Sequence, residues 1–112
     1  MWKLIHKVTT GLIVALGFLH LAVTAMEYDS FSLDSVWFLG SGLAIVFAGF
    51  LNVGVIRNTG DDRMVSVLCL IANLMLAGLF AATLSLMRPP QVFVGVALFV
   101  IASVCVLARS RR

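Results

Sequence analysis

Two histidines, His6 and His20, stand on one segment of a chain of 112 residues, and the pattern around them could do chemistry. Alternating steps of four and three from His6 pass through Thr10, Ile13, Gly17, His20, Thr24 and Glu27. Such positions share one face of an α-helix. Six of these seven residues are polar or glycine, while the rest of the segment is mostly Leu, Val, Ile, Ala and Phe. A polar seam of this kind turns away from hydrocarbon, towards a bundle interior or a water-filled cavity. With an unperturbed pKa near ~6.5, an imidazole there can bind a ligand or carry a proton. The alternative is a neutral imidazole that bridges helices and does nothing else.

Other chemistries fail on distance. His6 and His20 are ~21 Å apart along a helix, too far to share one haem iron. His20, Glu27 and Asp29 span an interface without a recurring ligand motif. As an acid and base pair, His20 and Glu27 would be ~10 Å apart, beyond joint reach of one substrate. No catalytic residue, metal site or cofactor is assigned, and an enzyme acting on a lipid is disfavoured. Cys69 and Cys105 lack CxxC spacing and are expected as buried free thiols that pack as small hydrophobes.

The elements that must position the seam follow from composition. Hydrophobic residues make up 62% of the chain and charged residues 12%, with a mean hydropathy of +1.11. Soluble domains carry roughly half apolar and a quarter charged residues, so the solvent for this chain is lipid. Four apolar blocks, about 8–26, 33–56, 64–87 and 91–108, each approach the ~20 residues that cross a bilayer as a helix. The runs are too long and too uniformly apolar for the alternating strands of a membrane barrel. The expected fold is an all-α integral membrane protein, one domain over 1–112, with four antiparallel transmembrane helices in a compact bundle.

The N-terminus resembles a secretory signal, with a basic start, an apolar stretch and VTA before Met26. His20 within the apolar region argues instead for a first membrane helix. Seven of the eight cations (Lys3, Lys7, Arg57, Arg63, Arg109, Arg111 and Arg112) fall on one side of an alternating bundle, and only Arg88 falls on the other. The positive-inside rule then places both termini in the cytoplasm, as in a bacterial inner membrane. The net charge of +3 is a topology signal rather than a nucleic-acid footprint.

Helix ends are also legible. Asp34 or Ser35 is expected to cap the second helix and Asp61 or Asp62 the third, with a turn at Asn58, Thr59 and Gly60 and a break at Pro89 and Pro90. Gly40, Gly42, Ala44, Ala48 and Gly49 mark the second helix as the packing hub, and Gly95 and Ala102 mark a groove on the fourth. Tyr28, Phe31, Trp37 and Phe38 gather at the outer boundary and Trp2 at the inner one, as interfacial anchors do.

Counting residues along each span places Ser41 and Thr83 near the depth of His20 and Trp37 near that of Thr24. Asn73 falls nearer the midplane and Asn52 towards the cytoplasmic side. The expected site is thus a ligand-binding group of His20, Thr24, Trp37, Ser41, Asn73 and Thr83 around an outward-opening polar cavity, for binding or transport of a small molecule. The competing function is a structural or accessory subunit of a membrane complex. Partners are membrane lipids and either a second copy or another membrane protein. In length and four-span layout the chain is similar to the small multidrug resistance transporters. Its first helix lacks the mid-membrane acidic residue where that family keeps its essential glutamate, so their activity is not carried over.

Overall fold

A computed structural model describes residues 1–27, 29–57, 62–86 and 89–110. Four helices follow in order: α1 (Trp2–Glu27), α2 (Leu33–Arg57), α3 (Arg63–Thr83) and α4 (Pro90–Ser110). Each is long and apolar enough to cross a membrane. They run antiparallel around a ring in which every helix packs on its sequence neighbours and α4 closes on α1, giving a body of 48 × 24 × 20 Å.

The first helix starts six residues before its apolar block. Hydropathy marks where lipid begins, whereas Trp2 to Lys7 contain nothing that opposes helical hydrogen bonding. The third ends at Thr83, earlier than its apolar run. The chain tightens there into i→i+3 bonds from the amides of Leu84, Ser85 and Leu86 to the carbonyls of Ala81, Ala82 and Thr83, ahead of Pro89. Pro90 occupies the first position of α4, where a missing N–H costs nothing.

The cap of α2 is Ser32 rather than Asp34 or Ser35. The Ser35 amide donates to Ser32 Oγ at 3.2 Å and the Ser32 amide to Ser35 Oγ at 2.8 Å, a reciprocal box with serine in the place usually held by Glu or Gln. Asp62 caps α3 by accepting from the Met64 amide at 3.1 Å. The expected roles of Tyr28, Asn58, Thr59, Gly60, Asp61, Arg88, Arg111 and Arg112 lie outside the described residues.

Glycines bring α1 and α2 together. A methyl at Gly17 would come within 2.6 Å of Val46 Cγ2 and 2.9 Å of the Val46 backbone nitrogen. At Gly49 it would meet Val14 Cγ2 at 2.6 Å, and at Gly42 it would meet Leu21 Cδ2 at 2.8 Å. In the second hairpin, Gly95 receives the edge of the Phe80 ring in the same way. Where lipid gives helices no hydrophobic reason to associate, close contact of this kind holds them. Gly40 and Gly54 instead face open space.

The apolar core joins all four helices through Ile13, Ile45, Ala48, Leu76, Phe99 and Ala102, and a second cluster sits at Val55, Cys69 and Val106. Both cysteines are buried free thiols. Gly17→Ala should lower stability by about 1–3 kcal/mol through overpacking, whereas Gly54→Ala should be neutral or stabilising by up to about 1 kcal/mol. Reversible unfolding of the two variants in mixed micelles checks the contrast.

Candidate functional site

The seam on α1 turns inward. His6, Thr10, Ile13, Gly17 and Thr24 are buried, His20 is half-buried, and Glu27 alone emerges fully. What the seam meets differs between its two ends.

At the end away from the termini, His20 Nε2 donates to the Phe38 carbonyl at 3.1 Å. A carbonyl can only accept, so this nitrogen carries the proton. The imidazole also stacks on the Phe38 ring with centroids 4.0 Å apart and planes 19° from parallel. Thr24 Oγ1 donates to the His20 carbonyl at 2.9 Å. Ser41 and Thr83 likewise donate to carbonyls one turn back, those of Trp37 at 3.1 Å and Leu79 at 2.8 Å. Trp37 itself is 70% exposed.

Of the six expected residues, His20 and Thr24 are therefore brought together, and Phe38 is a partner that sequence reading missed. Ser41 and Thr83 each bond within their own helix. Asn73 belongs elsewhere.

Asn73 lies at the other polar centre, nearer the end that holds both termini. Its Oδ1 accepts from Asn52 Nδ2 at 2.8 Å, and its Nδ2 donates to Asn52 Oδ1 at 3.1 Å and to Cys69 Sγ at 3.6 Å. The second proton of Asn52 Nδ2 goes to the Ala48 carbonyl at 2.8 Å. His6 Nε2 lies 3.0 Å from Asn52 Oδ1. His6, Asn52, Asn73 and Cys69 are all fully buried.

Because the Ala48 carbonyl only accepts, it fixes which side of the Asn52 amide is nitrogen. Asn52 Oδ1 must then accept from His6, so His6 bears its proton on Nε2. All four hydrogen-bonding positions of Asn52 are filled, by groups on α1, α2 and α3. Asn52 and Asn73 meet at one level rather than at the separate depths expected from counting. The signal for this centre lay in α2, where steps of three and four from Gly42 through Ile45 and Gly49 land on Asn52.

Close by, the Arg109 guanidinium lies 5.0 Å over the Trp2 ring, and Cys105 Sγ is 3.9 Å from the Trp2 carbonyl. These contacts dock the end of α4 on the start of α1. At the opposite end a groove of about 260 Å³ opens between the end of α1 and the start of α2, lined by Thr24, Asp29, Ser30, Phe31, Ser35 and their neighbours. Among the described residues, no three His, Cys, Asp or Glu side chains cluster to hold a metal ion. Comparison with protein-family models, curated proteins and solved structures finds no match.

Asn52→Leu should destabilise the bundle by about 1–3 kcal/mol, because it leaves buried groups of His6 and Asn73 unpaired. The double variant Asn52→Leu/Asn73→Leu should lose less than the sum of the two single variants. A double-mutant cycle of unfolding free energies measures the difference; strict additivity would show that the amide pair is not coupled.

Proposed function

We propose that the chain is a structural or accessory subunit of a membrane complex, seated in a bacterial inner membrane with both termini in the cytoplasm. The observation that carries this reading is the commitment of the imidazole and hydroxyls of the expected site to the bundle's own backbone. The protonated nitrogen of His20 is bonded to α2, and the hydroxyls of Thr24, Ser41 and Thr83 are bonded to carbonyls one turn back. The orientation rests on the sequence, in which seven of the eight cations fall to one side of four alternating spans.

The outward face of α2 suits a partner helix. Gly40 and Ala44 stand one turn apart and exposed on that face, with Phe47 and Gly54 following on the same arc, and a methyl at Gly40 or Gly54 would meet nothing within 4 Å. Small residues of this kind let a second backbone approach closely. In native membranes solubilised gently, the chain should migrate in an assembly that contains another membrane protein. Gly40→Leu/Gly54→Leu should release it without loss of its own fold. Migration as this chain alone, unchanged by the substitution, would overturn the reading.

A second reading, binding of a small molecule, is favoured by the outer groove, which Thr24 connects to His20 through the His20 carbonyl. The carboxylate of Asp29 on the rim suits an organic cation. An impermeant organic cation should then bind saturably to right-side-out vesicles and not to inverted ones, and His20→Leu should weaken that binding. Equal binding to both vesicle types, or binding indifferent to His20→Leu, would remove this reading.

A further inference from the structure

Two buried polar atoms on α1 are left over by the network around Asn52. His6 Nδ1 and Thr10 Oγ1 each lack a hydrogen-bond partner in the protein, although His6 is 0% and Thr10 3% exposed. They lie one helical turn apart on the inward seam, where i and i+4 side chains are neighbours. Neither is an ordinary surface group awaiting solvent.

Their chemical characters are complementary. Asn52 holds the proton of His6 on Nε2, so Nδ1 presents a bare lone pair and can only accept. Thr10 differs from Thr24, Ser41, Thr83 and Ser103, whose hydroxyls all donate to the carbonyl four residues back. Its hydroxyl leaves the His6 carbonyl alone and keeps both a proton and lone pairs to offer. Leaving such groups unpaired in a buried site costs on the order of 1–3 kcal/mol each, which is the reason most are met by a ligand or water.

The occupant must donate to Nδ1, and this selects its class. An anion would face the Nδ1 lone pair. A metal cation would find two neutral donors and no carboxylate, with the Arg109 guanidinium at the same end of the bundle. A neutral donor that also bonds a hydroxyl matches the chemistry of both atoms, and water is the smallest such molecule.

We infer that His6 Nδ1 and Thr10 Oγ1 hold one internal water molecule, an extension of the Asn52 network and a binding site separate from the outer groove. Buried waters of this kind make about two to four hydrogen bonds to polar groups that would otherwise go unmet.

The test is magic-angle-spinning NMR of the full chain in lipid bilayers with ¹⁵N-labelled histidine, in a His20→Gln background so that one imidazole is observed. Expected are an unprotonated, hydrogen-bonded Nδ1, a protonated Nε2, and polarisation transfer from water protons to Nδ1. Thr10→Val replaces the hydroxyl by a methyl of similar size; it should abolish the transfer to Nδ1 while the backbone spectrum is retained. An Nδ1 that receives no polarisation from water in the parent protein overturns the inference. So does an Nδ1 bonded directly to the Thr10 hydroxyl, or a transfer that Thr10→Val leaves intact. Should Thr10→Val fail to fold, Thr10→Ser, which keeps the hydroxyl, serves with the parent spectrum, and it should retain the transfer.

Discussion

The structure depends on the saturation of one amide. Asn52 sits at 0% exposure among apolar neighbours, where an unpaired donor or acceptor would oppose folding, and it escapes that penalty only because three helices converge on it. Ala48 on its own helix orients it, Asn73 on α3 mirrors it, and His6 on α1 completes it. The amide therefore sets more than a bond count. It dictates the tautomer of His6, and through that the character of the nitrogen left on the far side of the ring. A mid-bundle asparagine in hydrocarbon is often worth only ~0.6 kcal/mol per contact. Here the several contacts share one residue, so they are gained or lost together.

Close packing and polar pairing support each other along α1. Gly17, Gly42 and Gly49 let the α1 and α2 backbones approach, and that approach places the His20 ring against Phe38 at one end and His6 against Asn52 at the other. A bulkier residue at the crossing would spread the helices and lengthen both polar contacts. The two histidines thus play the same mechanical part at different depths, each joining α1 to α2 through its Nε2. They differ in what they join: a backbone carbonyl fixes nothing about the next residue, whereas a side-chain amide passes the constraint on to α3.

Much of this was legible in the sequence. Length and uniform apolarity require four membrane-length helices, and the period from His6 to Thr24 identifies the face of α1 that turns inward. The inward positions of Gly42 and Gly49, the burial of both cysteines and the break at Pro89 and Pro90 follow from local chemistry. Lateral pairing was not legible, for a physical reason. Counting residues from helix ends gives depth to within a turn, but which side chains touch depends on helix rotation and crossing angle. Depth alone therefore groups Asn73 with His20, although it meets Asn52. The same limit hid Phe38, because its contribution to the His20 contact is a backbone carbonyl and a ring face, neither of which stands out in a chain with eight phenylalanines. Ser32 does not stand out as the α2 cap in the sequence, because its box partner is Ser35 rather than Glu or Gln.

The uneven distribution of glycine contacts has a consequence for how the chain assembles. In the first hairpin the helices approach closely at Gly17, Gly42 and Gly49, whereas in the second Gly95 makes room for the Phe80 ring. Between the hairpins, polar side chains stand out: the paired amides of Asn52 and Asn73, and the terminal docking of Arg109 on Trp2. Each hairpin has a local reason to zip on its own, and the apolar core between the hairpins is less directional than a hydrogen bond. A slip of one turn, 5.4 Å, would pull the amides out of reach of one another. The asparagine pair is in that sense a vernier mark: it tells two sliding hairpins where to stop.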